Sequence, residues 1–461
     1  MNRADQLGTG KIGSLLLKFS LPAIVGMVVN AFYNVADRAF VGQAEGTLGI
    51  AGITVSFPVM VILMGFGMLV GLGANALISI RLGQKRKEDA EKILGNAVTL
   101  LILISLGLTL LGTLFLKPLL QFYGASSDVL PYAASYLRII LFGAVVQAIG
   151  FGMNNFIRGE GNPRIAMYTM LIGAVVNLIL DPIFIFGFGW GLKGAALATV
   201  VSQSMSALWV LSYFLGGKSL LKLRLVNIKL QWPVVKSIVT LGSAPFFMQI
   251  AASGVITILN RQLGIYGGDV AISAMGVVFS VAMVFLMPIF GINQGAQPII
   301  GYNYGAMHFD RVKKTHYFAS IAATLITLGG FSVVMLFPSQ IISVFSRSDE
   351  NLIQIGSRAL RIFLLMLPVV GFQIVTSNYF QAVGKPRQAL ILSLSRQVLL
   401  LIPCLFILPG FFGLTGVFLA GPVSDFGSSL LTGTFYFFEM RKLNRKHAGV
   451  KTQGFLSAET G

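Results

Sequence analysis

Two aspartates, Asp37 and Asp181, lie within long apolar stretches of the sequence. A carboxylate near the middle of a membrane helix costs about 2.5 to 3.5 kcal/mol on insertion scales, so such a residue is a functional candidate. Tyr33 and Asn34 precede the first aspartate by four and three residues, and Asn177 precedes the second by four. Residues at this spacing share one helix face, so each carboxylate has hydrogen-bonding neighbours on its own helix.

The two aspartates are predicted to lie at the same depth in the bilayer. Asp37 comes 19 residues after Lys18, and Asp181 comes 17 residues after Arg164. At 1.5 Å per residue, each is about 25 to 28 Å from the inner end of its helix, and Thr199 enters at a compatible height. Close carboxylates resist ionising together, which suits a site for a proton or Na⁺. The predicted cation-coupling residues are Asp37, Asn177, Asp181 and Thr199, with Asp37 and Asp181 as the possible ligands of Na⁺.

A structural interpretation of the two aspartates stays open. Asp181 is followed by Pro182, so it could do no more than cap a break in its helix. Asp37 could pair with its neighbour Arg38 at the membrane interface. Neither role would involve ion transport.

The second half of the sequence has two membrane charges of its own, Arg396 and Asp425. Counting along their helices places both about 12 to 14 Å from the inner face, so the two side chains can meet. We interpret them as a structural ion pair between neighbouring helices. The alternative is that they contact substrate.

The composition requires a membrane to hold these residues. Of 461 residues, 55% are apolar or aromatic and only 11% are charged, with a mean hydropathy of +0.81. Soluble proteins carry about 25% charged residues, and the sequence contains twelve apolar runs long enough to cross a bilayer. The predicted fold is an all-α polytopic membrane protein with twelve transmembrane helices. Cys404 is the only cysteine, so no intrachain disulfide can form.

The net charge of +18 reflects topology. Most of the 34 Lys and Arg residues fall before the first helix, after the even-numbered helices and after the twelfth, and the opposite loops contain few. The positive-inside rule therefore predicts a multi-pass protein of the cell (inner) membrane with both termini in the cytoplasm. This distribution argues against binding of nucleic acid, and we expect a monomer in contact with the lipid bilayer.

An internal repeat divides the sequence. At an offset of 223, Ser20-Leu21-Pro22 falls on Ser243-Ala244-Pro245, and Pro163-Arg164 falls on Pro386-Arg387. Because the offset contains six helices, the halves have the same orientation, as in transporters built from parallel repeats. The predicted division is an amino-terminal six-helix lobe (1–217), a cytoplasmic linker (218–233), a carboxy-terminal lobe (234–446) and a cytoplasmic tail (447–461). Asp37 maps to Asn260 and Asp181 to Cys404, so only the first half has the acidic pair.

The sequence lacks the residue patterns of an enzyme. Gly217-Lys218-Ser219 resembles the end of a phosphate loop, but it ends a membrane helix and the required earlier glycine is Ser212. Three His and one Cys give no metal-binding cluster. We expect no catalytic residues and no cofactor.

Several stretches resemble the multidrug and toxic compound extrusion (MATE) transporters, near their Mep and DNA-damage-inducible branch. The resemblance covers nearly the whole chain and rests on FSLPAIVGMVVNAFYNVADRAFVG, RLGQKRKEDAEK, IRGEGNPR, NLILDPIFIFGFGWGLKGAALAT and QAVGKPR. It implies a two-lobe antiporter that exports cationic amphipathic drugs or toxic metabolites by alternating access, in exchange for H⁺ or Na⁺.

The resemblance also implies roles for particular residues. Asp37, Asn177, Asp181 and Thr199 match the amino-lobe cation site of the family. Gln249 and Asn260 stand where other branches have acidic residues in the second lobe. The residues that could line a substrate cavity are Tyr33, Asn34, Tyr136, Asn154, Gln249, Asn260 and Gln297. Gln249 and Gln297 could equally form hydrogen bonds between helices.

Three other functions fit the sequence less well. A flippase for lipid-linked precursors would have the same helix count, but a cavity for a diphosphate should be cationic, and the paired aspartates argue against it. A major-facilitator transporter should carry an acidic-arginine signature that RLGQKRKEDAEK lacks. A membrane-embedded enzyme would need a nucleophile or a metal cluster.

Overall fold

The computed structural model describes residues 5–345 and 350–459, and every described element is helical. Ten helices are long and apolar enough to cross a membrane, and two bent pairs of helices raise the number to twelve if each pair is one span. The predicted all-α polytopic fold is confirmed. In chain order the spans are α1 (Ile12–Tyr33), α2 (Leu48–Gly83), α3 (Lys87–Leu114), α4 (Leu130–Phe142 with Ala144–Gly159), α5 (Pro163–Gly187), α6 (Gly191–Leu215), α7 (Trp232–Gly268), α8 (Val270–Gly305), α9 (Phe309–Leu336), α10 (Glu350–Phe363 with Leu367–Ala382), α11 (Pro386–Phe412) and α12 (Leu414–Asn444).

Two glycines break the longest helical segments at equivalent places of the repeat. The segment Ile12–Gly83 contains Gly46 at φ 61°, ψ −147°, and Trp232–Gly305 contains Gly268 at φ 66°, ψ −165°. Residues with a Cβ rarely adopt such angles, and glycine does so without steric cost. Each glycine therefore lets the first span of its half end and the second begin without an intervening loop.

The bent pairs also occupy equivalent places. α4 bends by 54° between Phe142 and Ala144, and α10 bends by 50° between Phe363 and Leu367. Ala144 and Leu367 are 223 residues apart, which is the offset of the repeat. The fourth span of each half is therefore broken in the same way.

The described chain forms two compact units. The first comprises Leu21–Gln249 with the described residues up to Leu7, and the second comprises Gly8–Ser20 with the chain from Ile250 onward. The start of α1 thus belongs to the second unit, and the start of α7 to the first. These units are a division by spatial contact, and the repeat-based lobe boundaries at 217 and 234 stay a prediction.

Close helix crossings explain why the unit boundaries fall inside α1 and α7. In the first unit, a Cβ on Gly242 of α7 would lie 1.7 Å from the carbonyl oxygen of Leu69 on α2. In the second unit, a Cβ on Gly295 of α8 would lie 2.6 Å from the backbone nitrogen of Ser20 on α1. Small residues let helix backbones approach this closely in membranes, so each crossing ties one helix start to its unit.

Within the first unit, buried carboxylates hold the segment between α6 and α7 in place. Glu160, which follows α4, accepts hydrogen bonds from the Tyr213 hydroxyl, from Ser219 Oγ at 2.6 Å and from the Leu220 N–H at 3.0 Å. Glu91 on α3 accepts the N–H of Lys222 at 3.1 Å. Most backbone groups in this segment lie outside regular helices, and these carboxylates provide part of their hydrogen bonding.

Candidate cation-coupling site

The two predicted coupling carboxylates lie near each other in the first unit. Asp181 is fully buried and Asp37 is 9% exposed, and they are close enough for their charges to interact. Asn177 Nδ2 donates a hydrogen bond to Asp181 Oδ1 at 3.1 Å. The structure therefore brings together three of the four residues predicted for cation coupling.

The backbone around Asp181 is irregular on one side. Its regular α-helix ends at Pro182, and a π-helical turn follows over Ile183–Gly187. Proline has no N–H to donate to the preceding turn, and single π turns in helices are frequent at functional sites. The proposed cap function of Asp181 and a binding function are thus compatible with the same local break.

Two buried oxygen atoms at this site accept no hydrogen bond from the described protein. Among the described residues, Asn177 is the one that hydrogen-bonds Asp181, and Asp181 Oδ2 and Asn177 Oδ1 have no protein partner. Buried oxygens without partners are uncommon and call for a physical reason. A bound proton or cation would satisfy them, because both atoms are electron-pair donors.

The other residues predicted for the first half are mostly buried. Thr199 on α6 is 7% exposed, Asn154 on α4 is 4% exposed, and Tyr136 packs in the apolar core around Leu137. Tyr33 is half-buried on α1. The side chains of Asn34 and Arg38 lie outside the described part of the structure, and with them the alternative pairing of Asp37.

The polar residues predicted to line a cavity near α7 and α8 have different exposures. Gln249 is half-buried, Asn260 is exposed, and Gln297 is buried at 1% exposure. Gln249 belongs to the first compact unit, and the other two belong to the second. Their role in binding substrate stays a prediction.

Arg396 and Asp425 form an ion pair through Nε and Oδ1. The aspartate side chain is 4% exposed and the arginine side chain 29%. Arg396 lies in a π-helical turn, Ser395–Leu401, which the sequence analysis missed because π turns have no simple sequence signal. The repeat equivalent of Arg396 is Gly173, where a Cβ would lie 2.6 Å from Ser206 Oγ. At this position the second half therefore has an ion pair between its helices, whereas the first half has close packing on a glycine.

Sequence reasoning also missed a line of polar residues on α12. The signal was present in the spacing of Asp425, Ser428, Thr432, Tyr436 and Glu439, which are three or four residues apart. This spacing places them on one helix face.

The described residues contain no group of three or more His, Cys, Asp and Glu side chains that could hold a metal ion. A Na⁺ site at Asp37 and Asp181 would therefore need neutral oxygens as well.

A family model decides the identity of the chain. The MatE model matches twice, over residues 22–183 and 245–407, and the two matches start 223 residues apart. The matched residues make up more than half of the chain and include Asp37, Asn177 and Asp181. The chain belongs to the MATE family.

Individual relatives agree with this MATE assignment. The multidrug export protein MepA of Staphylococcus aureus is 30% identical over 410 residues, covering 87% of this chain and 88% of the relative. The solved structure of the MATE multidrug transporter DinF-BH is 41% identical, with a TM-score of 0.87 and coverage of 93% and 96%. An outward-facing multidrug resistance MATE transporter is 25% identical, with a TM-score of 0.89 and coverage of 95% and 98%.

Membership in the MATE family settles the broad class of this protein. MATE proteins are transporters and have no enzymatic activity, and they use ion gradients rather than cofactors. The chain is therefore a multi-pass membrane transporter of the predicted family, and the prediction that it is not an enzyme is confirmed. The family evidence does not favour the flippase alternative.

Proposed function

We propose that this transporter is a secondary active antiporter that exports cationic amphipathic drugs or toxic metabolites in exchange for H⁺ or Na⁺. The observation that carries the proposal is the buried pair Asp37 and Asp181 in the first unit. Relatives whose names describe multidrug export support the substrate class.

The chemistry of coupling follows from the balance of charge at the pair. Two neighbouring buried carboxylates repel each other, and the single hydrogen bond from Asn177 compensates little of that cost. A proton, a Na⁺ ion or an organic cation near the pair lowers the cost. Because these cations relieve the same charge, binding of one weakens binding of another, which is the thermodynamic requirement for exchange.

Coupling is proposed to reside in the first half alone. The repeat equivalent of Asp37 is Asn260, which is exposed, and that of Asp181 is Cys404, which is half-buried. Neither side chain carries a negative charge that a cation would neutralise. The two halves would then perform different parts of an alternating-access cycle.

The proposal also covers the orientation of the protein in the membrane and its monomeric state. The basic segments Lys85–Lys87, Lys218–Arg224 and Arg311–Lys314 are predicted to face the cytoplasm with both termini, and the protein is proposed to act as a monomer. In a Cys404→Ala background, single cysteines at the exposed residues Lys87, Lys222 and Lys314 should resist an impermeant thiol reagent added to intact cells. A cysteine at exposed Asp128 should react, and labelling in the reverse pattern would overturn the orientation.

A reconstituted system tests the antiport. Purified protein in liposomes would be given a fluorescent organic cation, with a proton gradient or a sodium gradient imposed separately. One of the two gradients should drive dye movement, and both Asp37→Asn and Asp181→Asn should abolish it. Asp128→Asn is the matched control, because Asp128 is exposed and lies before α4. Gradient-driven transport that survives in both buried variants would contradict the proposal.

A further inference from the structure

Buried polar side chains of α9, α10 and α12 form a seam inside the second unit. On α12, Ser428 and Thr432 are fully buried and Glu439 is 7% exposed. From Asp425 to Glu439 the seam covers fourteen residues of helix, or about 21 Å. Its far end lies beside Lys385, which precedes α11 and pairs with Glu439.

Side chains from α10 and α9 complete the middle of the seam. Gln373 Nε2 donates a hydrogen bond to Ser428 Oγ. One turn further along α10, Thr376 Oγ1 lies 3.0 Å from His316 Nε2. The ring of His316 stacks on that of Tyr436 with the centroids 4.6 Å apart. Successive polar groups are therefore in contact or one helical turn apart.

The end of the seam near Lys385 is ionic. The Tyr379 hydroxyl donates to Glu439 Oε1 at 3.4 Å, and Lys385 Nζ pairs with Glu439 Oε2. The ring of Tyr379 also meets that of His316 edge-on, with the centroids 5.2 Å apart. The titratable or charged groups around the seam are Tyr304 on α8, His316 on α9, Tyr379 on α10, Lys385 before α11, Arg396 on α11, and Asp425, Tyr436 and Glu439 on α12.

Two atoms inside the seam have no protein partner among the described residues, Gln373 Oε1 and His316 Nδ1. Their side chains are 4% and 1% exposed. Packing alone does not explain them, since a buried polar atom without a partner is costly. Both atoms can accept a hydrogen bond from water, which is the usual partner of such groups in protein interiors.

The first half lacks most of this seam at the equivalent positions. At the offset of 223, which relates the broken spans α4 and α10, Gln373 falls on Gly150 and Thr376 on Met153. At the offset of 222, which relates Gly191 to Gly413, His316 falls on Leu94 and Glu439 on Gly217. Ser428 falls on another serine, Ser206, but the hydroxyl of Ser206 bonds to the Thr169 carbonyl. If helix packing alone required these polar side chains, both halves would have them. The seam therefore has a role that is specific to the second half.

We propose that this seam carries protons between Asp425 and the end of the unit at Glu439 and Lys385, which makes Asp425 a proton-exchanging carboxyl of the second half. Proton uptake forms an O–H bond on Asp425 and breaks its charge-assisted hydrogen bond to Arg396, which remains a cation. The neutral acid tolerates its buried position. The arginine side chain is 29% exposed, so protein does not enclose it and it has room to change conformation when the pair opens. The step needs no drug and no gradient, so it is independent of the proposed antiport.

Infrared spectroscopy of the purified full chain tests this path without transport. Acidification should produce a carboxylic-acid band that is missing in Asp425→Asn and shifted in Asp425→Glu, a variant that keeps the titrating group. Transfer to heavy water should then shift the band as the proton exchanges. Thr376→Val and Gln373→Leu should slow that exchange at least about tenfold, which corresponds to a barrier higher by about 1.4 kcal/mol.

Ser424→Ala is the matched control. Ser424 is buried beside Asp425 on α12, but its hydroxyl bonds to Ala420 and Gly421 of the same helix. Exchange in this variant should equal that of the wild type. Two results would overturn the proposal: no band assignable to Asp425 at any pH at which the protein is folded, or exchange that is equally fast in Thr376→Val and Gln373→Leu. Thr376→Val keeps the side-chain shape, so it decides the matter if Gln373→Leu folds poorly.

Discussion

Asn177 Nδ2 donates a hydrogen bond to Asp181 Oδ1 over 3.1 Å, across one turn of α5. It is the single hydrogen bond to this buried carboxylate among the described residues, so it positions the group that we propose to bind the coupling ion. Hydrogen bonds to charged groups contribute about 1.5 to 3 kcal/mol. Asn177→Leu should therefore lower gradient-driven export about tenfold or more, measured as initial rates in liposomes.

Thr169→Val is the control for this prediction. Thr169 is buried on the same helix, and its hydroxyl bonds to the Ile165 carbonyl of that helix. Its replacement should leave export near the wild-type rate. Equal rates in Asn177→Leu and wild type would remove Asn177 from the coupling site.

The ion pair of Arg396 and Asp425 should be visible in a double-mutant cycle. Removing one partner of a buried pair leaves an uncompensated charge at a cost of about 3 to 5 kcal/mol, whereas removing both can be nearly neutral. Arg396→Leu and Asp425→Leu should each lower the thermal stability of the purified protein, and the double variant should recover most of the loss. Additive losses would show that the two side chains are not coupled in solution.

Drug binding by the double variant separates the two interpretations of the pair. A structural pair predicts nearly unchanged affinity for a fluorescent cation in the double variant. A stable double variant that no longer binds the dye would instead assign Arg396 and Asp425 to the substrate site.

Glu160 should make stability depend on pH. Burial raises the pKa of this carboxyl above its ordinary value of 4.5, although hydrogen bonds from Ser219, Tyr213, Leu221 and Leu220 partly oppose the shift. Between the ordinary pKa and the raised one, the folded state binds more protons than the unfolded state. Stability should therefore fall as the pH rises through this window, from about 4.5 upward.

Glu160→Gln removes the titrating group and should flatten that part of the curve of melting temperature against pH. Glu88→Gln, at an exposed position on α3, is the control and should keep the wild-type slope. An unchanged slope in Glu160→Gln would mean that Glu160 does not titrate with folding.

The helix crossing at Gly242 should tolerate no side chain. A Cβ there would lie 1.7 Å from the Leu69 carbonyl oxygen, so α2 and α7 would have to separate. Gly242→Ala should lower the melting temperature of the purified protein by several degrees. Gly254→Ala on the same helix has no atom within 4 Å of the added Cβ, and better helix propensity should make it neutral or slightly stabilising. Similar melting temperatures for both variants would contradict the close crossing.

Much of the fold could be predicted from the sequence because its signals are strong and repeated. Apolar runs give the spans, and the offset that relates Ser20 to Ser243 also relates the glycine breaks at Gly46 and Gly268 to within one residue. The bend in α10 could not be predicted in this way. Its sequence signal is Pro368, which follows the bend and restricts the backbone before it, but a proline inside an apolar run does not show how far the helix bends.

The candidate site was predictable to a similar extent. A carboxylate in an apolar run is expensive, which made Asp37 and Asp181 visible in the sequence. Their proximity depends on helix rotation, and apolar membrane sequences specify rotation weakly. Glu160 was missed because a carboxylate in a polar turn looks solvated, and its burial arises from Ser219 and Leu220, about sixty residues further along the chain.

If drug and coupling ion exchange at Asp37 and Asp181, as we propose, binding of the drug must displace the ion. Purified protein in weakly buffered solution, or equilibrated with Na⁺, would be titrated with a fluorescent organic cation while released protons or sodium are counted. Dye binding should release protons or Na⁺ from the wild type and from Asp128→Asn, and this release should be lost in Asp37→Asn and Asp181→Asn. Dye binding with undiminished ion release in both of these variants would show that the exchange does not occur at Asp37 and Asp181.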